Sequence, residues 1–68
     1  MKSKQAFSTK LIQHRRKMRL TQHQVALEVG VSQSAYNYWE SGKHFPNASK
    51  LYKLMKVLAI PADDILIP

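Results

Sequence analysis

Apolar residues recur along this chain at helical rather than alternating intervals, and those intervals predict short helices joined by tight turns. Phe7, Leu11, Arg15 and Met18 fall at the i, i+4, i+8, i+11 spacing of one stripe, while Lys10, Arg16 and Lys17 fall mostly on other faces; a first helix is predicted over Ser8 to Met18. Thr21 offers its hydroxyl to the orphan amides of a second helix, Gln22 to Val29, which Gly30 ends. Ser32 does the same for a third, Gln33 to Glu40, whose Ala35, Tyr36 and Trp39 share one side, and Gly42 suits the left-handed turn that closes it. After Pro46, Asn47 caps a fourth helix with Leu51, Leu54, Met55 and Leu58 at i, i+3, i+4 and i+7. Beyond Pro61, Ala62 to Leu66 can form one more short helix, with Asp63 and Asp64 favoured by its positive end.

No run of strand-like alternation competes with this pattern, so the fold class is all-α. A chain of 68 residues has room for one domain, here placed over residues 7–68 behind a basic arm over 1–6. A core this small leaves little material for a catalytic cleft with its own supporting shell. The absence of cysteine removes disulfides and thiolate zinc sites, and His14, His23 and His44 lack ligand spacing, so no metal or other cofactor is expected. Apolar runs such as Val57 to Ile60 are far short of the ~20 residues of a membrane span, and the first residues lack the apolar stretch of a signal peptide. These features read as a soluble, cytoplasmic protein without membrane partners.

Eleven lysines and arginines stand against four acids, and they are unevenly placed. Lys2, Lys4, Lys10, Arg15, Arg16, Lys17 and Arg19 all precede the first acid, Glu28. A polyanionic partner is the natural inference, although basicity for solubility alone gives the same total.

The link between the second and third helices is more specific than the charge. An eight-residue helix, Gly30, an apolar Val31 and a capping Ser32 lead straight into another helix, and so short a link forces a steep crossing. Ala26 is small where the helices must approach, Gly30 permits the turn, and Val25, Val29, Val31, Tyr36 and Trp39 supply apolar contact. At these residues the sequence resembles the phage-repressor and Cro-like, or Xre, family of helix-turn-helix proteins. The resemblance rests on Leu11 and Arg15, on Thr21, Gln22, Val25, Ala26, Gly30, Val31 and Ser32, and on Trp39, Glu40, Ser41, Gly42 and Lys43 with Pro46 following. It continues through Leu51, Leu54, Leu58, Ile60, Asp63 and Leu66, where the family places its fourth and fifth helices. The implied fold is a compact five-helix, lambda-repressor-like DNA-binding domain in which the second and third helices form the helix-turn-helix. Two residues depart from the pattern: Tyr36 stands where the family has a smaller Ile or Val, and Pro61 replaces a capping Ser.

Within the resemblance, the helix from Gln33 is the recognition helix, with its first turn in the major groove. Gln33 can donate and accept toward the N6 and N7 edge of adenine, a contact worth about 1–3 kcal/mol of discrimination; the alternative is a solvated glutamine. Ser34, Asn37 and Tyr38 lie away from Trp39 on the same helix, with Asn37 the next base contact. Tyr38 suits a thymine methyl, a phosphate or a shielding role equally. The resemblance implies backbone contacts from Gln22, Ser32 and Lys43, joined by Arg16, Arg19, Lys2 and Lys4, although a solvated charge explains each lysine as well. It also implies an ion pair from Arg15 to Glu40. The structural roles of Ala26 and Gly30 follow from the tight link, and Trp39, which could be a stacking platform, is placed in the core by its position beside Tyr36 and opposite Val25.

The function these residues predict is sequence-specific binding of a double-stranded DNA operator by a transcriptional regulator, acting as a repressor and as a homodimer, not as an enzyme. The competing reading is an antitoxin or other protein-interaction module on the same fold. The apolar Ile65, Leu66 and Ile67 fit either a dimer or a partner interface, and they could equally close the core.

Overall fold

Four helices and no strands form among the described residues of the computed structural model, which are 2–61 and Asp63, with residues 2–5 as backbone alone. They are α1 (Lys2–Lys17), α2 (Gln22–Val29), α3 (Gln33–Ser41) and α4 (Ala48–Val57). The fifth helix expected over 62–66 lies outside the described residues apart from Asp63, as do Ile65, Leu66 and Ile67. The helix expected from Ser8 starts instead at Lys2, so the segment expected as an arm is helical from that residue. Lysine, glutamine and alanine are good helix formers, and a turn added to a helix already held by Phe7 and Leu11 needs no apolar residue of its own.

Three of the helix starts are made by the residues the sequence predicts. Thr21 accepts from the Gln24 amide at 3.0 Å, and the Gln24 side chain returns a bond from the Thr21 amide at 2.8 Å, completing a capping box. Ser32 accepts from the Ala35 amide at 3.0 Å and Asn47 from the Lys50 amide at 2.9 Å.

All four helices finish in one way, with a left-handed residue followed by an amide that reaches back five positions. Gly30 (φ 86°) precedes a 3.0 Å bond from Val31 to the Ala26 carbonyl, and Gly42 (φ 80°) a 2.9 Å bond from Lys43 to Tyr38. At the ends of α1 and α4 the same role falls to Arg19 (φ 60°) and Ala59 (φ 53°), followed by bonds from Leu20 to Arg15 at 3.1 Å and from Ile60 to Met55 at 2.9 Å. A residue with a Cβ gives up about 1–2 kcal/mol in that conformation.

The core joins Phe7 and Leu11 of α1, Val25, Ala26 and Val29 of α2, Tyr36 and Trp39 of α3, and Leu54, Leu58 and Ile60 at the other end of the chain. Helix α3 packs on both α1 and α2, and α2 packs also on α4. Leu51 and Met55 complete the stripe of α4 as partly buried neighbours of the core. Met18, expected on the apolar stripe of the first helix, is 43% exposed because α1 has already ended at Lys17 and the backbone is turning toward Arg19. Two polar contacts tie the helices from outside. His14 Nδ1 lies 3.1 Å from the Leu58 carbonyl, and Lys50 Nζ lies 3.5 Å from the Val29 carbonyl, at the negative end of α2. None of the helices among the described residues is long and apolar enough to cross a membrane.

Candidate nucleic-acid interface

The tight turn through Gly30 and Ser32 sets α3 against α2 so that the first turns of the two helices open onto one shared face. Val25, Ala26 and Val29 on one side of the turn and Tyr36 and Trp39 on the other hold the pair, with Val31 packed against the same core. Ala26 is 1% exposed, as its close approach to the second helix requires. Trp39 is buried with its ring edge-on to Tyr36, centroids 6.0 Å apart and planes at 76°, which makes it a packing residue and leaves it no face for stacking on a base.

On the shared face, Gln22, Gln33, Ser34, Asn37 and Tyr38 line one open depression of about 430 Å³. The four side chains expected to touch bases are therefore gathered in one place, with Gln22 at the rim. Gln33, Ser34, Asn37 and Tyr38 are exposed, whereas Gln22 is half-buried. Lys43, just past the end of α3, places its ammonium 5.6 Å from the Tyr38 ring centroid. His44 meets the same ring edge-on at 5.1 Å, a neighbour that sequence reasoning missed, since only the fold of the turn after Gly42 brings it back to Tyr38. The Ser32 hydroxyl accepts its cap bond from Ala35, which leaves its own hydrogen to donate, and Arg16 and Arg19 lie exposed at the end of α1, outside the depression.

Beneath the face sits the expected ion pair. Arg15 donates from Nε to Glu40 Oε2 at 2.5 Å and from Nη2 to Oε1 at 3.1 Å, a two-pronged contact, and from Nη1 to the Leu20 carbonyl at 3.0 Å. The two side chains retain 15% and 6% of their exposure. Glu40 Oε1 also accepts from Gln22 Nε2 at 2.9 Å, and Gln22 Oε1 accepts from Asn37 Nδ2 at 3.4 Å. Burial pushes the Glu40 carboxyl upward, but the donors around it, Arg15 foremost, outweigh burial and hold it below its ordinary value. The hydrogen bond to Glu40 raises Arg15 against its own burial.

The Tyr36 ring is fully buried, and its hydroxyl lies against this pair without closing a hydrogen bond of good geometry. Burial first, and then the nearby carboxylate, push the phenol well above its ordinary range. A buried hydroxyl left unsatisfied costs about 1–3 kcal/mol, so Tyr36→Phe is expected to raise the melting temperature by several degrees. A lower melting temperature would instead show that the phenol donates to Glu40.

Residues 11–65 match the helix-turn-helix family. The chain is 40% identical over 60 residues to the HTH-type transcriptional activator BcrR of Enterococcus faecalis, a match covering 88% of this chain and 29% of that protein. It is 34% identical over 56 residues to the cryptic phage CTXphi transcriptional repressor RstR of Vibrio cholerae, covering 82% and 50%. An uncharacterized HTH-type transcriptional regulator of Archaeoglobus fulgidus is 32% identical over 59 residues, covering 87% of this chain and 83% of the relative. The chain thus spans no more than half the length of the first two relatives. No solved structure gives a significant match.

Proposed function

Because this chain belongs to the Xre-type helix-turn-helix family of DNA-binding transcription regulators, we propose that it binds a partly palindromic operator as a two-fold dimer, with α3 of each copy in the major groove. The observation that carries this reading is the gathering of Gln22, Gln33, Ser34, Asn37 and Tyr38 around one depression. A B-form major groove admits a helix and presents every base pair as a distinct set of donors and acceptors, which amide and hydroxyl side chains match. Gln33, Ser34, Asn37 and Tyr38 read bases. The first-turn amides of α2, with Gln22, Ser32, Lys43, Arg16 and Arg19, hold the phosphates and fix the register. Repression is the simplest outcome, since a bound dimer blocks polymerase without having to touch it.

Selection of bound duplexes from a random library tests the reading. The expected result is an enriched pair of inverted half-sites with centres about 34 Å apart. Gln33→Ala is expected to lose about 1–3 kcal/mol of discrimination at one base pair in each half-site while leaving the others intact. Recovery of no enriched motif would remove sequence-specific regulation as the function.

A further inference from the structure

We propose that Glu40, which touches no base, sets the polarity of the base contact made by Asn37, through Gln22 as a positioning residue; the inference rests on the DNA-binding reading above. A carboxylate carries no hydrogen and can only accept. Glu40 is kept ionised and fixed by the two bonds from Arg15, so the Gln22 amide has one favourable orientation, with its nitrogen toward Glu40 Oε1 at 2.9 Å. Its oxygen then faces α3 and accepts from Asn37 Nδ2 at 3.4 Å. One hydrogen of the Asn37 amide is engaged, and the Oδ1 edge together with the second hydrogen is left for a ligand in the depression.

A free asparagine on an exposed helix turns its amide over readily and accepts either polarity of partner. An asparagine held in this way presents its carbonyl in a fixed direction beside one remaining hydrogen, and that carbonyl favours a donor, which in the major groove means the exocyclic amino group of adenine or cytosine. Adenine can also accept the remaining hydrogen at N7. Gln33 has no part in the relay, so its base pair serves as an internal control within the same complex.

The test is duplex selection with wild-type protein and with Gln22→Met, which keeps the length and helix propensity of the side chain but has no amide. Wild-type protein is expected to enrich adenine or cytosine at the Asn37 position. Gln22→Met is expected to reduce that preference about tenfold, leaving the position read by Gln33 unchanged. Asn37→Ala alone and Gln22→Met/Asn37→Ala together are expected to give the same loss, because the two residues act in series. Some uniform loss of affinity is expected from the phosphate contact of Gln22; an unaltered preference at the Asn37 position would leave Gln22 as a backbone contact alone and overturn the relay while leaving the DNA-binding reading standing, and failure of wild-type protein to enrich any motif would overturn both. A second readout needs no variant. In the free protein the Gln22 amide protons should exchange with solvent more slowly than those of the exposed Gln33, and equal exchange would overturn the relay.

Discussion

Replacing Glu40 with alanine is expected to unfold the protein or to lower its stability by about 3–5 kcal/mol, the cost of leaving one member of a buried ion pair behind. Arg15 would lose both bonds to the carboxylate and keep only the Leu20 carbonyl, in a site where its side chain is 15% exposed. Small domains have only about 5–15 kcal/mol in total, so the loss would be visible in any thermal or urea melt. Replacing both partners by apolar residues, Arg15→Met with Glu40→Leu, should recover much of it, since the penalty lies in the unpaired charge more than in the absent bond. Acid offers an independent check. The folded Glu40 carboxyl is held below the unfolded value of about 4.3, so its contribution is fully present above that pH and is lost as pH falls through the folded value. Wild-type stability should therefore fall below pH ~4, and Arg15→Met/Glu40→Leu should lose less over the same range. If Glu40→Ala melted like the wild type but lost affinity for DNA, the carboxylate would belong to the binding surface instead.

Affinity for DNA is expected to collapse with salt. If each copy in a dimer neutralises about four phosphates, log K against log salt has a slope near −7, from about −0.9 per phosphate. Between 50 and 200 mM salt that is a loss of about 10⁴-fold. The excess of eleven basic residues over four acids fixes the sign of such a slope, and the placement of Lys43 beside Tyr38 gives part of it a location. Lys43→Ala should make the slope shallower by about 0.9 per copy without altering which sequences are preferred. A slope near zero would remove the phosphate contacts from the account.

The parts of this molecule that were legible from sequence are those governed by neighbours in the chain. The bounds of α2, the caps at Thr21, Ser32 and Asn47, and the turns at Gly30 and Gly42 depend on residues a few positions apart, and the structure places them where the spacing does. The end of α1 falls within one residue of the position its spacing predicts, but Met18 is exposed for the converse reason: Arg19 adopts a left-handed conformation that no glycine announces, and the stripe stops before it. The start of α1 was hidden because Lys2 to Gln5 carry no apolar residue to extend the stripe. In the candidate site, helical spacing put Gln33, Ser34, Asn37 and Tyr38 on one face, and the family resemblance singled that face out. The bonds from Gln22 to Glu40 and Asn37 did not, because they span the crossing of two helices and depend on side-chain geometry that no periodicity encodes.

The left-handed closures have a further meaning for the lifetime of the protein. Glycine at Arg19 or Ala59 would remove about 1–2 kcal/mol of backbone penalty from the folded state, offset in part by the greater freedom of an unfolded glycine. One or two kcal/mol changes the ratio of folded to unfolded molecules by a factor of about 5–30. When opening and closing are fast, proteolysis follows the population of the open form. The two residues that end α1 and α4, though outside the depression on α2 and α3, thereby help to set how long each copy survives in a cell.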